Sequence, residues 1–90
     1  MRPKIPALCL SGGKLSEFGG RAAEYRVWIH PKRGENSFYR SQSLEQALKK
    51  RAEFINDPDL AMVEPVIAVV YDKKFRKYRE VQIDGIDYGE

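Results

Sequence analysis

The sequence predicts an α+β domain, in which an antiparallel sheet of about four strands packs one face against a single helix. Three observations lead to this prediction: strand-like alternation in two places, one helical repeat with a clear start signal, and one uninterrupted apolar run. In chain order they give arm-β-β-α-β-β, two hairpins joined by a helix. Ninety residues with 42% hydrophobic content supply one core. We therefore expect one domain at 21–90, preceded by an arm at 1–20.

The first 20 residues show no regular period and are interrupted by the pairs Gly12-Gly13 and Gly19-Gly20. Glycine permits tight bends, so the sequence predicts an irregular N-terminal arm. Its apolar residues predict that the arm packs on the domain. They are Ile5, Leu8, Leu10, Leu15 and Phe18.

The first hairpin is predicted from alternation between Tyr25 and His30. Successive side chains of a strand point to opposite faces. Tyr25, Val27 and Ile29 are therefore expected to face the core, with Arg26, Trp28 and His30 on the solvent side. The loop at 31–36 carries Pro, Gly and Asn, which are typical of hairpin connections. A return strand is predicted at Ser37–Ser41.

The helix is predicted to begin after Ser43, because Ser43-Leu44-Glu45-Gln46 fits a capping box. In that motif the hydroxyl of Ser43 accepts a hydrogen bond from the backbone N–H of Gln46. Apolar residues then recur at helical spacing as far as Ile55. The sequence Asn56-Asp57-Pro58 predicts the end of the helix.

The second hairpin contains the longest apolar run, Val66–Tyr71. A run without alternation indicates a strand covered on both faces. The helix can cover one face, and the other needs the N-terminal arm or a second copy of the protein. A turn is predicted at Asp72–Lys74 and a last strand at Phe75–Ile83. For the tail from Asp84 to Glu90, a short extra strand and a frayed end are both left open.

The overall charge and the apolar segments limit the functional classes. The net charge is +3, divided into +5 for residues 1–40 and −2 for residues 41–90. A mild positive charge permits an anionic partner without requiring one. The run Val66–Tyr71 is far shorter than the ~20 residues of a membrane-spanning helix. With no signal-peptide core and a single cysteine, Cys9, the sequence predicts a cytoplasmic protein without disulfides or membrane contact.

No set of residues in the sequence indicates catalysis or a bound cofactor. His30 and Cys9 are too few for a metal site, which needs at least three convergent ligands. Gly13-Lys14-Leu15-Ser16 fails the phosphate-loop pattern, because Leu15 stands where that motif has a hydroxyl. We therefore predict no catalytic residue, no metal and no cofactor.

Two surfaces are candidates for binding. The first combines the outward side of the first strand with the following loop. Its residues are Arg26, Trp28, His30, Lys32 and Arg33. The second is a basic segment with interleaved aromatic residues, in which cations can pair with phosphate and rings can stack on bases. Its residues are Lys73, Lys74, Phe75, Arg76, Lys77, Tyr78 and Arg79. The same residues also suit a solvated hairpin, whose charges prevent edge-to-edge aggregation.

The stretch at residues 25–71 resembles a small module found on the C-terminal side of some bacterial proteins of the GNAT acetyltransferase superfamily. Several short motifs carry the resemblance: Tyr25–Pro31, Gly34, Phe38-Tyr39, Ser43 with Glu45, Ala47-Leu48, and Glu64-Pro65. The acetyltransferase core and its acetyl-CoA-binding turn are absent, so no catalytic or cofactor residue is carried over. The resemblance implies a non-enzymatic accessory domain.

Together these observations favour a small interaction domain that binds another protein or a second copy of itself. An exposed aromatic ring among arginines, as expected for Trp28, is typical of interface hot spots. The alternative is nucleic-acid binding through the basic hairpin at residues 73–79. An enzymatic function is the least supported reading.

Overall fold

The computed structural model of the protein describes residues 5–86 and confirms an α+β domain, with one α-helix and a six-stranded mixed sheet. The number of strands exceeds the predicted four, because two short strands join the two hairpins. The elements are β1 (Leu10–Lys14), a 3-10 helix (Leu15–Phe18), β2 (Glu24–Pro31), β3 (Ser37–Ser41), α1 (Leu44–Ile55), β4 (Leu60–Val63), β5 (Ile67–Asp72) and β6 (Lys77–Gln82).

The strand order is β1-β6-β5-β2-β3, and β4 also pairs with β2. The β2–β3 and β5–β6 pairs are the two predicted hairpins. β5 and β4 lie antiparallel to successive parts of β2, at Glu24–Arg26 and at Ile29–Pro31. β1 pairs with β6 in parallel. The sheet is therefore mixed, whereas the sequence predicted a purely antiparallel one.

The helix α1 begins where the capping signal predicted. The Ser43 hydroxyl accepts a hydrogen bond from the backbone N–H of Gln46 at 3.3 Å, and Asn56 is the C-cap. The helix packs Ala47 against Val27 and Val66, and all three are buried. Side-chain packing on this apolar stripe, together with the cap, holds α1 on the sheet.

One face of the sheet, here called the helix face, carries the apolar core. Tyr25, Ala68 and Val81 occupy paired positions on β2, β5 and β6, so their side chains share this face. The helix α1 covers one part of it. The 3-10 helix covers another part with Leu15 and Phe18, which pack against Ala68 and Val81.

The segment at 1–20, expected to be an irregular arm, contributes regular structure within the described residues. It contains β1 and the 3-10 helix, and its apolar residues Leu15 and Phe18 pack on the core. Alternation did not reveal β1 because Gly12 and Gly13 have positive φ angles of 108° and 91° and interrupt the register with β6. Residues 87–90, the end of the tail left open above, lie outside the described residues.

Candidate functional site

The first candidate surface does not face solvent as the alternation predicted. Arg26 is 0% exposed, although its strand neighbours place it on the face opposite the helix, here called the second face. Its Nε donates to Glu24, its Nη1 donates to Glu80 Oε2 at 3.0 Å, and its Cζ lies 4.4 Å from the centre of the Phe38 ring. The prediction that Arg26 is solvated was wrong. Alternation shows which face of the strand a side chain is on, but it does not distinguish an arginine buried against two carboxylates from one in solvent.

The guanidinium of Arg26 also fastens the start of the described chain to the second face. Its Nη2 donates to the carbonyl oxygen of Pro6 at 2.8 Å, and its Nη1 donates to that of Ala7 at 3.2 Å. Hydrogen bonds from a charged donor are the stronger kind in proteins. Residues 6 and 7 are therefore tied to the second face at Arg26. On β5, Val69 pairs with Glu24 on this face and is 0% exposed, so the strand is buried on both faces there, as its apolar run predicted.

Cys9 lies beside this cluster, with Sγ 3.5 Å from Arg26 Nη1. Burial raises the pKa of the Cys9 thiol, although the nearby charge and hydrogen bond of Arg26 act in the opposite direction. A thiol whose pKa is raised holds less of the reactive thiolate at neutral pH. Cys9 is therefore a partly buried packing residue.

Trp28 and His30 are likewise engaged with neighbouring side chains. The indole Nε1 of Trp28 donates to Glu80 Oε2 at 2.9 Å, and its ring centre lies 4.8 Å from that of Phe38. His30 Nε2 lies 2.6 Å from Glu64 Oε2. Both residues are half-buried, so Trp28 is less exposed than the alternation predicted. The remaining two members of the candidate surface, Lys32 and Arg33, are exposed in the β2–β3 loop.

The basic segment forms the tip of the β5–β6 hairpin, where residues 73–77 are exposed and Tyr78 and Arg79 are half-buried. Phe75 is 54% exposed, and Lys74 Nζ and Arg79 Cζ lie 5.7 and 5.4 Å from the centre of its ring. The turn carries four exposed cations. They are Lys73, Lys74, Arg76 and Lys77. None of the four makes an ion pair with another residue of the described part of the chain. We call residues 73–77 the hairpin tip.

An aromatic pair that the sequence did not indicate lies next to the hairpin tip. Tyr71 and Tyr78 are paired across β5 and β6, with ring centres 5.4 Å apart and the rings at 72° to each other. Tyr71 is 50% exposed. The continuous apolar run hid Tyr71, although the register of a hairpin centred on the basic segment could have placed it opposite Tyr78.

The backbone of the hairpin tip is organised by Asp72. Its Oδ1 accepts from the backbone N–H groups of Lys74 and Phe75, at 2.9 and 3.3 Å. Its Oδ2 accepts from Arg79 Nε at 2.9 Å, and Arg79 Nη1 donates in turn to the carbonyl oxygen of Ser11 on β1. Arg79 is therefore a structural member of the predicted patch, because its charge is already paired with that of Asp72.

The Asp72 interactions predict a dependence of stability on acid pH. Burial raises the pKa of Asp72, but the hydrogen bonds from Arg79, Phe75 and Lys74 together lower it below its ordinary value. The stabilisation is therefore fully present above the unfolded-state pKa of about 3.9, and is lost as pH falls through the lower folded-state pKa.

Replacing Asp72 with asparagine is expected to lower the urea midpoint at pH 7, because Arg79 loses its charged partner. The difference from the unmodified protein should remain constant above about pH 5 and shrink below about pH 4, where the wild-type carboxylate becomes protonated. Urea titrations at several pH values measure both effects. Asp59→Asn is the matched control, since Asp59 is an exposed aspartate whose side chain makes no hydrogen bond or ion pair to a described residue. A difference that persists unchanged at pH 3 would contradict the assignment.

The described residues hold no group of three or more His, Cys, Asp or Glu side chains that could bind a metal ion. No helix within residues 5–86 combines the length and the apolar character needed to cross a membrane. Comparisons of the chain with protein-family models, with curated proteins and with solved structures found no match. The arguments about function therefore rest on the residues themselves.

Proposed function

We propose that this chain is a small non-enzymatic binding domain whose ligand is single-stranded nucleic acid, bound by the hairpin tip and its adjoining tyrosines. The observation that carries the proposal is the set of four exposed cations in the hairpin tip, without internal anionic partners among the described residues. Cations that are already paired within a protein gain little from an external phosphate, whereas these four are available to one.

The rigidity of the turn supports the same function. Asp72 fixes the backbone at Lys74 and Phe75 by two hydrogen bonds, and Arg79 compensates the negative charge of Asp72. The tip therefore presents its positive charge on an ordered backbone, without an uncompensated carboxylate beneath it. Pre-organisation of this kind reduces the entropy lost when a ligand binds.

The aromatic residues favour a single strand over a duplex. Phe75 and Tyr71 are both half exposed, and Tyr78 lies against Tyr71. Stacking of a base on an aromatic side chain contributes about 1–3 kcal/mol per base. It requires bases that are not already stacked in a helix. The proposed contacts are therefore phosphates on the four cations and bases on Phe75 and Tyr71.

The conformation of Arg76 adds a further argument. Its φ angle is 54°, in the left-handed region, and it is the single described non-glycine residue with positive φ. That conformation costs an L-residue about 1–2 kcal/mol, whereas glycine adopts it freely. An arginine at this position keeps a positive charge at the tip at the expense of stability. Such an exchange is typical of functional sites.

Fluorescence anisotropy of labelled oligonucleotides tests the proposal. We expect saturable binding of single-stranded oligonucleotides of mixed sequence, weaker binding of the duplex, and affinity that falls steeply with salt concentration. Intrinsic fluorescence of Trp28, the one tryptophan in the chain, serves as a check that the fold is unchanged. An anisotropy that stays constant up to tens of micromolar protein would contradict nucleic-acid binding.

Binding to another protein or to a second copy is the second candidate. The observation that favours it is the pair of terminal strands in the sheet path, β1 and β3, whose outer edges face no other described strand. Unpaired edges accept strands from a partner. A small accessory domain is also what the resemblance at residues 25–71 implies. We also propose a cytoplasmic location, where a lone thiol such as Cys9 stays reduced.

A further inference from the structure

A cavity of about 310 Å³ lies on the second face beside Trp28. It is at the end of β5 and β6 opposite the hairpin tip, where Ile67 pairs with Gln82. Its walls come from distant parts of the sequence: Trp28 on β2, Glu64 before β5, Glu80 and Gln82 on β6, and Gly12-Gly13 on β1. Pockets for small ligands begin at about 300 Å³. The cavity is therefore large enough for a small ligand or for one side chain of a partner.

The charged groups in this cavity are both carboxylates. Glu80 uses Oε2 to accept from Arg26 and Trp28, and the Oε2 of Glu64 lies against His30. The Oε1 atom of each makes no hydrogen bond to another residue in the range 5–86. Among the described residues, no lysine or arginine lines the cavity. Two carboxylate oxygens are thus available to a cation.

The aromatic wall restricts the kind of cation. A flat, delocalised guanidinium stacks on a ring while its fork of N–H groups reaches carboxylates, and an ammonium does this less well. The second face already holds one guanidinium in this way, since Arg26 lies over the Phe38 ring and donates to Glu24 and Glu80. A second guanidinium would find the indole of Trp28 and the carboxylates of Glu64 and Glu80.

An adjoining cavity of about 340 Å³ shares Glu64, Ile67 and Gln82 with the first. Its other walls are mostly apolar and belong to Pro65, Val66 and Ile83. This part suits the methylene chain that carries a guanidinium. We propose that the two cavities together form a binding site for a guanidinium group on an aliphatic chain, either an arginine side chain of a peptide or a small alkylguanidine.

Titration of the protein with N-acetyl-arginine amide, followed by Trp28 fluorescence, tests this site. The neutral control is N-acetyl-citrulline amide, which has nearly the same shape without the charge. We expect saturation with a Kd on the order of 1 mM for the arginine compound and at least about tenfold weaker binding of the citrulline compound. Equal responses to the two compounds would overturn the proposal.

Two substitutions at the rim of the cavity distinguish binding from a general effect of charge. Glu64→Gln should weaken arginine binding by about tenfold, because a charged acceptor is replaced by a neutral one. Gln82→Glu adds a third carboxylate at an exposed position and should strengthen binding severalfold. Glu35→Gln in the exposed β2–β3 loop is the matched control. Identical affinities for the Glu64→Gln and Glu35→Gln variants would refute the site, provided circular dichroism shows both folded.

The same assay separates the two sources of the group. A blocked Gly-Arg-Gly peptide and butylguanidine each carry the guanidinium as their one charge, but only the peptide provides a backbone on each side of it. Tighter binding of the peptide identifies an arginine in a protein partner, and tighter binding of butylguanidine identifies a small molecule. If neither binds better than the citrulline compound, the proposal fails. Nucleic-acid binding at the hairpin tip is measured separately, so either proposal can fail alone.

Discussion

Replacing Arg26 with methionine is expected to lower the free energy of unfolding by about 3–5 kcal/mol. Methionine fills a similar volume but leaves the carboxylates of Glu24 and Glu80 without their cation, and Glu24 is itself buried. The substitution also removes the donors to the carbonyl oxygens of Pro6 and Ala7. Since domains of this size are stable by about 5–15 kcal/mol, the loss is a large fraction of the total. Urea denaturation followed by circular dichroism measures it.

Arg40→Met is the matched control, because Arg40 pairs with Arg26 across β2 and β3 but is exposed. Its Cζ also lies near the Phe38 ring, at 5.4 Å. A surface substitution of this kind changes stability by about 0.5 kcal/mol or less. If the two variants lose equal stability, Arg26 is solvated and the buried cluster is refuted.

A triple variant separates the loss of the cation from the loss of packing. Combining Arg26→Met with Glu24→Gln and Glu80→Gln removes the whole set of charges, and the glutamine at position 80 can still accept from the Trp28 indole. Replacement of a complete buried ion cluster by neutral groups is far less destabilising than removal of one partner. We therefore expect the triple variant to recover more than half of the stability lost in Arg26→Met.

Arg26 also shows why the sequence predicted the fold better than the surface. Alternation in β2 correctly indicated a strand with two distinct faces. The further assumption that the polar face of β2 is solvated was wrong. Arg26 is paired with Glu80, which lies 54 residues further along the chain, so the neighbouring sequence does not indicate the ion pair. Glu24, two residues before Arg26 on the same face, is the one local signal of a buried ion pair.

The predicted elements that were confirmed depend on local signals. The capping box of α1 and the alternation of the hairpin strands are each contained within a short stretch of sequence, and tertiary packing did not override them. The two missed strands depend on distant partners. β1 is rich in glycine and joins the sheet by pairing with β6, and β4 is four residues long and pairs with β2. Neither pairing has a signature within its own segment.

The basic hairpin was predicted from its composition, and the structure adds which of its cations are paired and which rings lie beside it. The sequence gives no sign that Arg79 is paired with Asp72 while the other four cations are not. It also hides Tyr71 within an apolar run. We therefore propose that the site consists of residues 73–78 together with the ring of Tyr71.

Removing the four unpaired cations is expected to lower the affinity for single-stranded nucleic acid by about 10²-fold near physiological salt. The variant combines Lys73→Gln, Lys74→Gln, Arg76→Gly and Lys77→Gln. Glycine suits the positive φ of position 76, so the tip should keep its fold and the domain its stability. The slope of log K against log salt is negative, and the loss of four phosphate contacts should make it shallower by about 2.8, at about 0.7 per contact.

A second quadruple variant provides the control, with the same change in net charge at exposed positions away from the tip. It combines Lys14→Gln, Lys32→Gln, Arg33→Gln and Lys49→Gln. If general charge attracts the ligand, both variants lose affinity and salt dependence equally, and the proposed site is wrong. If the tip is the site, the control keeps most of its affinity. Tyr71→Ala should then weaken binding without changing the salt slope, because stacking involves no counterion release.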